Sequence, residues 1–183
     1  DVNKEDSVSQ AIEKVIANEG HIDVLINNAG FAIAPAGAEE SSMQQAQAIF
    51  DTNFFGAVRM TRAVIPLMRQ EKSGLILNIN SILGLLPTPF GALYSASKHA
   101  LEGYSESLDH ELRSQGIRVS LIEPAYTKTS LGINLLEADA KVSAYDHIRE
   151  KLHQHMIKAI NKSDDPSVVA KTILTVINSQ NIL

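Results

Sequence analysis

At 183 residues with 44% hydrophobic content, the chain is long enough to bury one sizeable core and too short to argue for two, so one domain is expected over 1–183. Its formal net charge of −5, with Lys and Arg scattered along the sequence, offers no basic footprint for nucleic acid or an anionic membrane surface. The lack of cysteine excludes disulfides and thiolate metal sites and fits a cytoplasmic protein, while no apolar run approaches the roughly 18 residues that span a bilayer and the polar, acidic start is unlike a signal peptide.

The sequence opens at Asp1 without a Met and goes almost directly into a helical pattern, which reads as an interior start. After Asp6-Ser7, a possible cap, Val8, Ile12, Val15 and Ile16 recur at helical spacing until Gly20. Ile22 to Ile26 is a short apolar, β-branched run ending in Asn27-Asn28-Ala29-Gly30, which favours a strand entering a turn. A helix is expected from about Ser42 to Gln70, with Met43, Phe50, Phe54, Val58, Ile65 and Met68 near one face. Gly74 then opens a second strand, Leu75 to Ile79. A loop rich in Ser, Gly and Pro leads to a third helix, about Tyr94 to Ser114, and a third strand, Arg118 to Glu123. Strands this apolar need cover on both faces, and helix-length connections permit parallel pairing. The expected fold class is therefore a doubly wound, Rossmann-like α/β sheet. Beyond Pro124 come a polar loop, about Thr127 to Ala140, a helix around Val142 to Ile160, and a further helix started by Asp165-Pro166.

The third helix carries the sharpest chemical signal. Tyr94, Lys98, Leu101, Ser105, Leu108 and Leu112 alternate steps of four and three and share one face. The leucines mark that face as buried, where a lysine is costly unless it has a task. Tyr94 sits one turn from Lys98, and an ammonium near a phenol favours phenolate, drawing its pKa toward the range of a general acid/base. An isolated Tyr-x-x-x-Lys is also explained by a lysine snorkelling beside a core tyrosine. Ser81, however, stands just beyond the carboxyl end of the second strand, where open parallel sheets bind ligands. From there its hydroxyl could hydrogen-bond a substrate carbonyl oxygen while Tyr94 donates a proton to it.

Together Asn27-Asn28-Ala29-Gly30, Asn53, Ser81, Tyr94-Ser95-Ala96-Ser97-Lys98 and Glu123-Pro124 resemble the short-chain dehydrogenase/reductase family in its compact single-domain branch, over nearly the whole chain. The resemblance implies an oxidoreductase that uses NAD or NADP and moves a hydride between the nicotinamide and a carbonyl or secondary alcohol. It implies that Tyr94 is the acid/base, that Lys98 lowers its pKa and holds the nicotinamide ribose, that Ser81 positions the reacting oxygen, and that Asn53 supports a water-mediated proton relay to the lysine. The turn with Asn27, Ala29 and Gly30 would stabilise the sheet and lie beside the cofactor, with the Asn27 backbone nearest its ribose. Asp1 and Val2 would meet the adenine ring or simply fray as a chain end. Pro124, Thr127 and Thr129 would flank the nicotinamide carboxamide and phosphates, although Ala125 replaces the family's glycine. Asn80 stands where many relatives have serine, a change expected to matter little.

The family's Gly-rich phosphate-binding turn is expected several tens of residues before Asp1, so a polypeptide confined to these residues is expected to bind cofactor poorly and to be inactive. The stretch 125–162 resembles the family's variable substrate lid. Leu131, Ile133, Leu135, Leu136, Tyr145, Ile148, Leu152 and Met156 could line it or pack on the core, and with Phe90 and Leu93 they favour a lipophilic ketone, aldehyde or secondary alcohol. No metal is expected, since His153 and His155 point to different helix faces. Ala100, Gly103, Tyr104 and Ser107 form a small-residue face that is either solvated or packed against a second copy, as in the homodimers and homotetramers usual in the family. The alternatives are a noncatalytic cofactor-sensing or scaffold protein and an extended-branch epimerase or dehydratase.

Overall fold

The computed structural model describes residues 1–129 and 135–179. Helix α1, Glu5–Glu19, ends where the sequence demands: Gly20 adopts φ +83° and its N–H returns to the Ile16 carbonyl at 2.9 Å, a conformation that costs glycine least. Strand β1 (Val24–Asn27), strand β2 (Gly74–Ile79) and strand β3 (Ile117–Ile122) form a parallel sheet in the order β1-β2-β3. Register places Leu25, Ile76 and Val119 in one row. Side chains alternate across a strand, so this row faces a common layer, where it packs with Val64, Met68, Leu108 and Leu112. Burying each such side chain contributes about 1.5–3 kcal/mol. On the opposite face Leu75 and Leu77 are also buried, but Ile26 is 41% exposed, so cover there is less complete than the apolar runs imply.

The long helical stretch after the first turn is continuous but not uniform. Helix α2, Met43–Phe50, passes through a π-helical turn at Asp51–Phe55 into helix α3, Gly56–Glu71. Its buried residues include Ile49, Asn53, Ala57, Thr61, Val64 and Met68; of the expected stripe Met68 lies among them and Ile65 packs against the core, while Met43 is 74% exposed. The π-helical turn shifts which residues point inward, and Phe54 lies with its ring edge-on to Tyr104 at 5.8 Å. Helix α4, Ala92–Leu112, follows the expected phase, with Lys98, Leu101, Ser105, Leu108 and Leu112 all buried.

Beyond the sheet, helix α5 covers Asp146–Asn161 and helix α6 covers Ser167–Asn178. Asp165 opens α6 by accepting the Ser167 N–H at 2.9 Å. No helix among the described residues is long and apolar enough to cross a membrane. Of the expected lid positions, Leu131 and Ile133 lie outside the described residues.

Candidate active site

The site is built where β2 ends. Asn80 extends the ladder, its N–H reaching the Ile122 carbonyl at 2.8 Å, and the Ile82 N–H binds the Pro124 carbonyl at 3.1 Å. Between them Ser81 caps a short 3₁₀ turn, Ile82–Gly84, its hydroxyl accepting the Leu83 N–H at 3.2 Å. The Tyr94 side chain, from the first turn of α4, lies close enough to Ser81 for that side chain to draw its pKa down. One turn on, Lys98 is 6% exposed and its amine donates to the Ile79 carbonyl at 2.9 Å, lying 5.8 Å from the Tyr94 ring centre. Ser81, Tyr94 and Lys98 therefore come together as their order along the chain implies.

Their electrostatics differ from expectation in one respect. Burial raises the Tyr94 pKa above the ordinary 10.0, and the Ser81 hydrogen bond only partly opposes it. Burial also pulls Lys98 down to about 8. The Lys98 amine, bound to the Ile79 carbonyl, does not offset the rise that burial imposes on the phenol. Among the described residues, that carbonyl is the only hydrogen-bond acceptor for the Lys98 amine, although an ammonium carries three donors. The remaining donors fit a diol such as a cofactor ribose.

Asn53 is turned inward by the π-helical turn and is 1% exposed. Its amide accepts the Phe31 N–H and donates to the Phe31 carbonyl, both at 2.9 Å, and reaches the Ser97 hydroxyl at 3.2 Å. Ser97 in turn donates to the Tyr94 carbonyl at 2.8 Å. Asn53 thus clamps the segment after β1 to the catalytic helix. Gly30 leaves room for the Asn53 amide rather than serving an unusual angle: its φ is not positive, and a Cβ there would lie 3.2 Å from the Asn53 Oδ1. Asn28 and Ala29 beside it are exposed.

Asn27 stabilises the sheet through its side chain, which donates to Asn78 Oδ1 at 2.8 Å and to Thr61 Oγ1 at 3.2 Å. Asn78 passes the chain of bonds to Ser105 at 2.7 Å. Asp1 and Val2 are held against the fold: the Asp1 nitrogen lies 2.9 Å from the Ser7 hydroxyl, and Val2 packs so closely on Gly56 that a Cβ there would meet its Cγ2 at 2.7 Å. Thr129 donates its N–H to the Thr127 carbonyl at 2.8 Å, and Thr127 bridges to Asp164.

Sequence reasoning missed several contributors. Ser97, three residues after Tyr94, and Thr61 carry no signal beyond being polar on buried helix faces. Asn80, in the position where many relatives have serine, is 4% exposed and donates to Glu102 at 2.5 Å. Glu102 lies against Glu123 at the end of β3, and burial with that neighbouring carboxyl pushes it up to about 6.

With this geometry in place, likeness to known proteins becomes decisive. The short chain dehydrogenase family profile matches residues 1–140. The chain belongs to the short-chain dehydrogenase/reductase family. It is 36% identical over 174 residues to an uncharacterized oxidoreductase of Schizosaccharomyces pombe, covering 95% of this chain and 73% of that one. It is 46% identical over 138 residues to the 3-ketodihydrosphingosine reductase of Bacteroides thetaiotaomicron, covering 73% and 49%. To retinol dehydrogenase 8 of Bos taurus it is 36% identical over 194 residues, covering 98% and 59%. Among solved structures, a short-chain dehydrogenase from Streptomyces avermitilis superposes with a TM-score of 0.84 at 30% identity, covering 100% of this chain and 66% of that one. ElxO with NADPH bound gives 0.79 at 27%, covering 99% and 70%, and a Burkholderia phymatum short-chain dehydrogenase/reductase in complex with NAD gives 0.83 at 26%, covering 97% and 65%. The short-chain dehydrogenase chain described here is thus of the NAD(P)-dependent, hydride-transferring oxidoreductase type.

Proposed function

We propose that the full-length protein interconverts a lipophilic ketone or aldehyde and the corresponding alcohol. The observation that carries this reading is the meeting of the Ser81 hydroxyl, the Tyr94 phenol and the buried Lys98 amine at the carboxyl end of β2. When bound, NAD or NADP supplies or accepts the hydride. Ser81 and Tyr94 grip the substrate oxygen, and Tyr94 gives it a proton in reduction or takes one in oxidation. A phenol held above its ordinary pKa stays protonated at neutral pH, the form that reduction needs. Lys98 holds the ribose, Asn53 and Gly30 set the loop beside it, and Asn27, Ala29, Pro124, Thr127, Thr129, Asp1 and Val2 complete the cofactor's surroundings.

Support for a lipophilic substrate comes from apolar side chains of the 125–162 segment left partly open. Leu136 is 48% and Ile148 36% exposed, and Tyr145, Leu152 and Met156 are half-buried. Two of the relatives bear names for sphingoid and retinoid substrates. The same reading has the protein in the cytoplasm as a homodimer or homotetramer packed through Ala100, Gly103, Tyr104 and Ser107. A panel of long-chain and small polar ketones and alcohols, followed at the nicotinamide absorbance band, tests the substrate class. Turnover confined to apolar compounds is expected, and a preference for small polar ones would refute it.

A further inference from the structure

Away from the catalytic cluster, Glu40 is the charged residue that the chemistry leaves unused and the fold engages most. It ends a 3₁₀ turn, Ala38–Glu40, and is 0% exposed, although carboxylates are rarely buried unless paired. Its Oε2 accepts the Gly37 N–H of its own turn at 2.6 Å. Its other contacts run to one distant stretch: Oε1 accepts the Val142 N–H at 2.8 Å and the Arg149 guanidinium, and its carbonyl accepts the Ala140 N–H at 2.8 Å. Arg149, 14% exposed, also binds Asp146 and the Val142 carbonyl.

That stretch carries Tyr145, whose hydroxyl donates to Glu39 at 2.7 Å and whose ring stands edge-on to Phe90 at 5.7 Å. Phe90 lies four residues before Tyr94 in a left-handed backbone conformation, φ +62°, which a non-glycine residue adopts at a cost. Its carbonyl accepts the Ala36 N–H at 2.9 Å. At Gly37 a Cβ would meet the Tyr145 ring at 2.8 Å. The segment after β1, the turn before the catalytic helix and the start of α5 therefore converge on one aromatic pair. A buried ion pair is a poor source of net stability, because desolvation offsets attraction, but its directed hydrogen bonds define geometry.

We infer that Glu40 and Arg149 form a latch that seats Tyr145 against Phe90 and thereby positions the apolar wall that recognises the substrate's hydrocarbon part. Both are positioning residues, acting through the aromatic pair, and the inference rests on the oxidoreductase reading above.

The test uses the full-length protein with cofactor, as wild type, E40Q and R149K, the last keeping the charge while losing the fork and serving should E40Q not fold. Two readouts are independent: trypsin cleavage at Lys141 and Lys151, and KM and kcat for a long-chain and a short-chain ketone with cofactor Kd measured alongside. E40Q should be cleaved there about tenfold faster and should raise KM for the long-chain ketone about tenfold, with kcat, short-chain KM and cofactor Kd within about twofold. R149K should fall between E40Q and wild type. Unchanged cleavage would overturn the latch. Faster cleavage with an unchanged long-chain KM, or an equal loss for both ketones together with weaker cofactor binding, would overturn the positioning role. Absence of wild-type turnover would refute the oxidoreductase reading and substrate recognition with it, while the cleavage rates would still decide the latch.

Discussion

Lys98 bears the cost of the catalytic arrangement most directly. Its pKa falls from 10.5 to about 8 on burial, so between those values the folded state binds fewer protons than the unfolded one, and stability rises with pH across that window. At pH 7 the full penalty is present, on the order of 3 kcal/mol. Lys98→Met is therefore expected to raise the melting temperature at pH 7, with the advantage shrinking as pH approaches 10.5, while abolishing turnover. Thermal melts across that range check the sign, and a Met variant less stable than wild type at pH 7 would contradict it. Tyr94 titrates in the opposite functional sense. Because burial keeps its proton on, carbonyl reduction should hold its rate from neutrality up to the ordinary phenol value of 10.0 while alcohol oxidation, which needs the phenolate, accelerates across the same range, a divergence that paired initial-rate profiles would reveal.

Elements are held to one another by buried polar staples, and these were the least legible part of the sequence. Asp109 on α4 is 8% exposed, accepts the Val119 N–H at 2.8 Å and binds Arg118 at 2.9 Å and Arg113 at 2.6 Å. Burial alone would raise its pKa, but the two guanidiniums and the amide hold it well below the usual carboxylate range. A lowered pKa means stability that is fully present above the unfolded value and lost as pH falls from there toward the folded one. Asp109→Asn should thus destabilise the fold at pH 7 by on the order of 2 kcal/mol, and the gap to wild type should stay constant down to about pH 4 and only then begin to narrow, as melts from pH 7 into that acid range would show. Gly30→Ala tests a second staple: the added methyl presses on the Asn53 amide and should cost about 1 kcal/mol or more, with turnover falling further than stability. Helix α4 was readable because its leucines and its catalytic pair share a phase. The α2–α3 face was not, because the π-helical turn at Asp51–Phe55 has no proline or glycine to announce it and shifts which residues point inward. Ser97 and Asn80 stood out only as motif positions and Glu102 not at all, since a polar residue reads as solvated until its partner on another element is known.

For the molecule as a whole, a three-stranded parallel sheet delivers Ser81 from β2, Tyr94 and Lys98 from α4, and the Pro124 corner from β3 to one end. The strands, their parallel pairing and the candidate side chains Ser81, Tyr94 and Lys98 were legible because apolar runs, helix-length connections and a fixed heptad-like spacing constrain them locally, whereas the strand order was not. The Glu40–Arg149 pair, 109 residues apart in sequence, could be found only in three dimensions. The chain spans 73% of its Schizosaccharomyces pombe relative and 49% of the Bacteroides thetaiotaomicron one, so assays belong on the full-length protein. The most direct measurement is turnover by Tyr94→Phe there, with cofactor Kd determined on the same preparation. The predicted result is a kcat at least about 100-fold lower with cofactor affinity unchanged; turnover equal to wild type would contradict the assignment of Tyr94 as the proton donor.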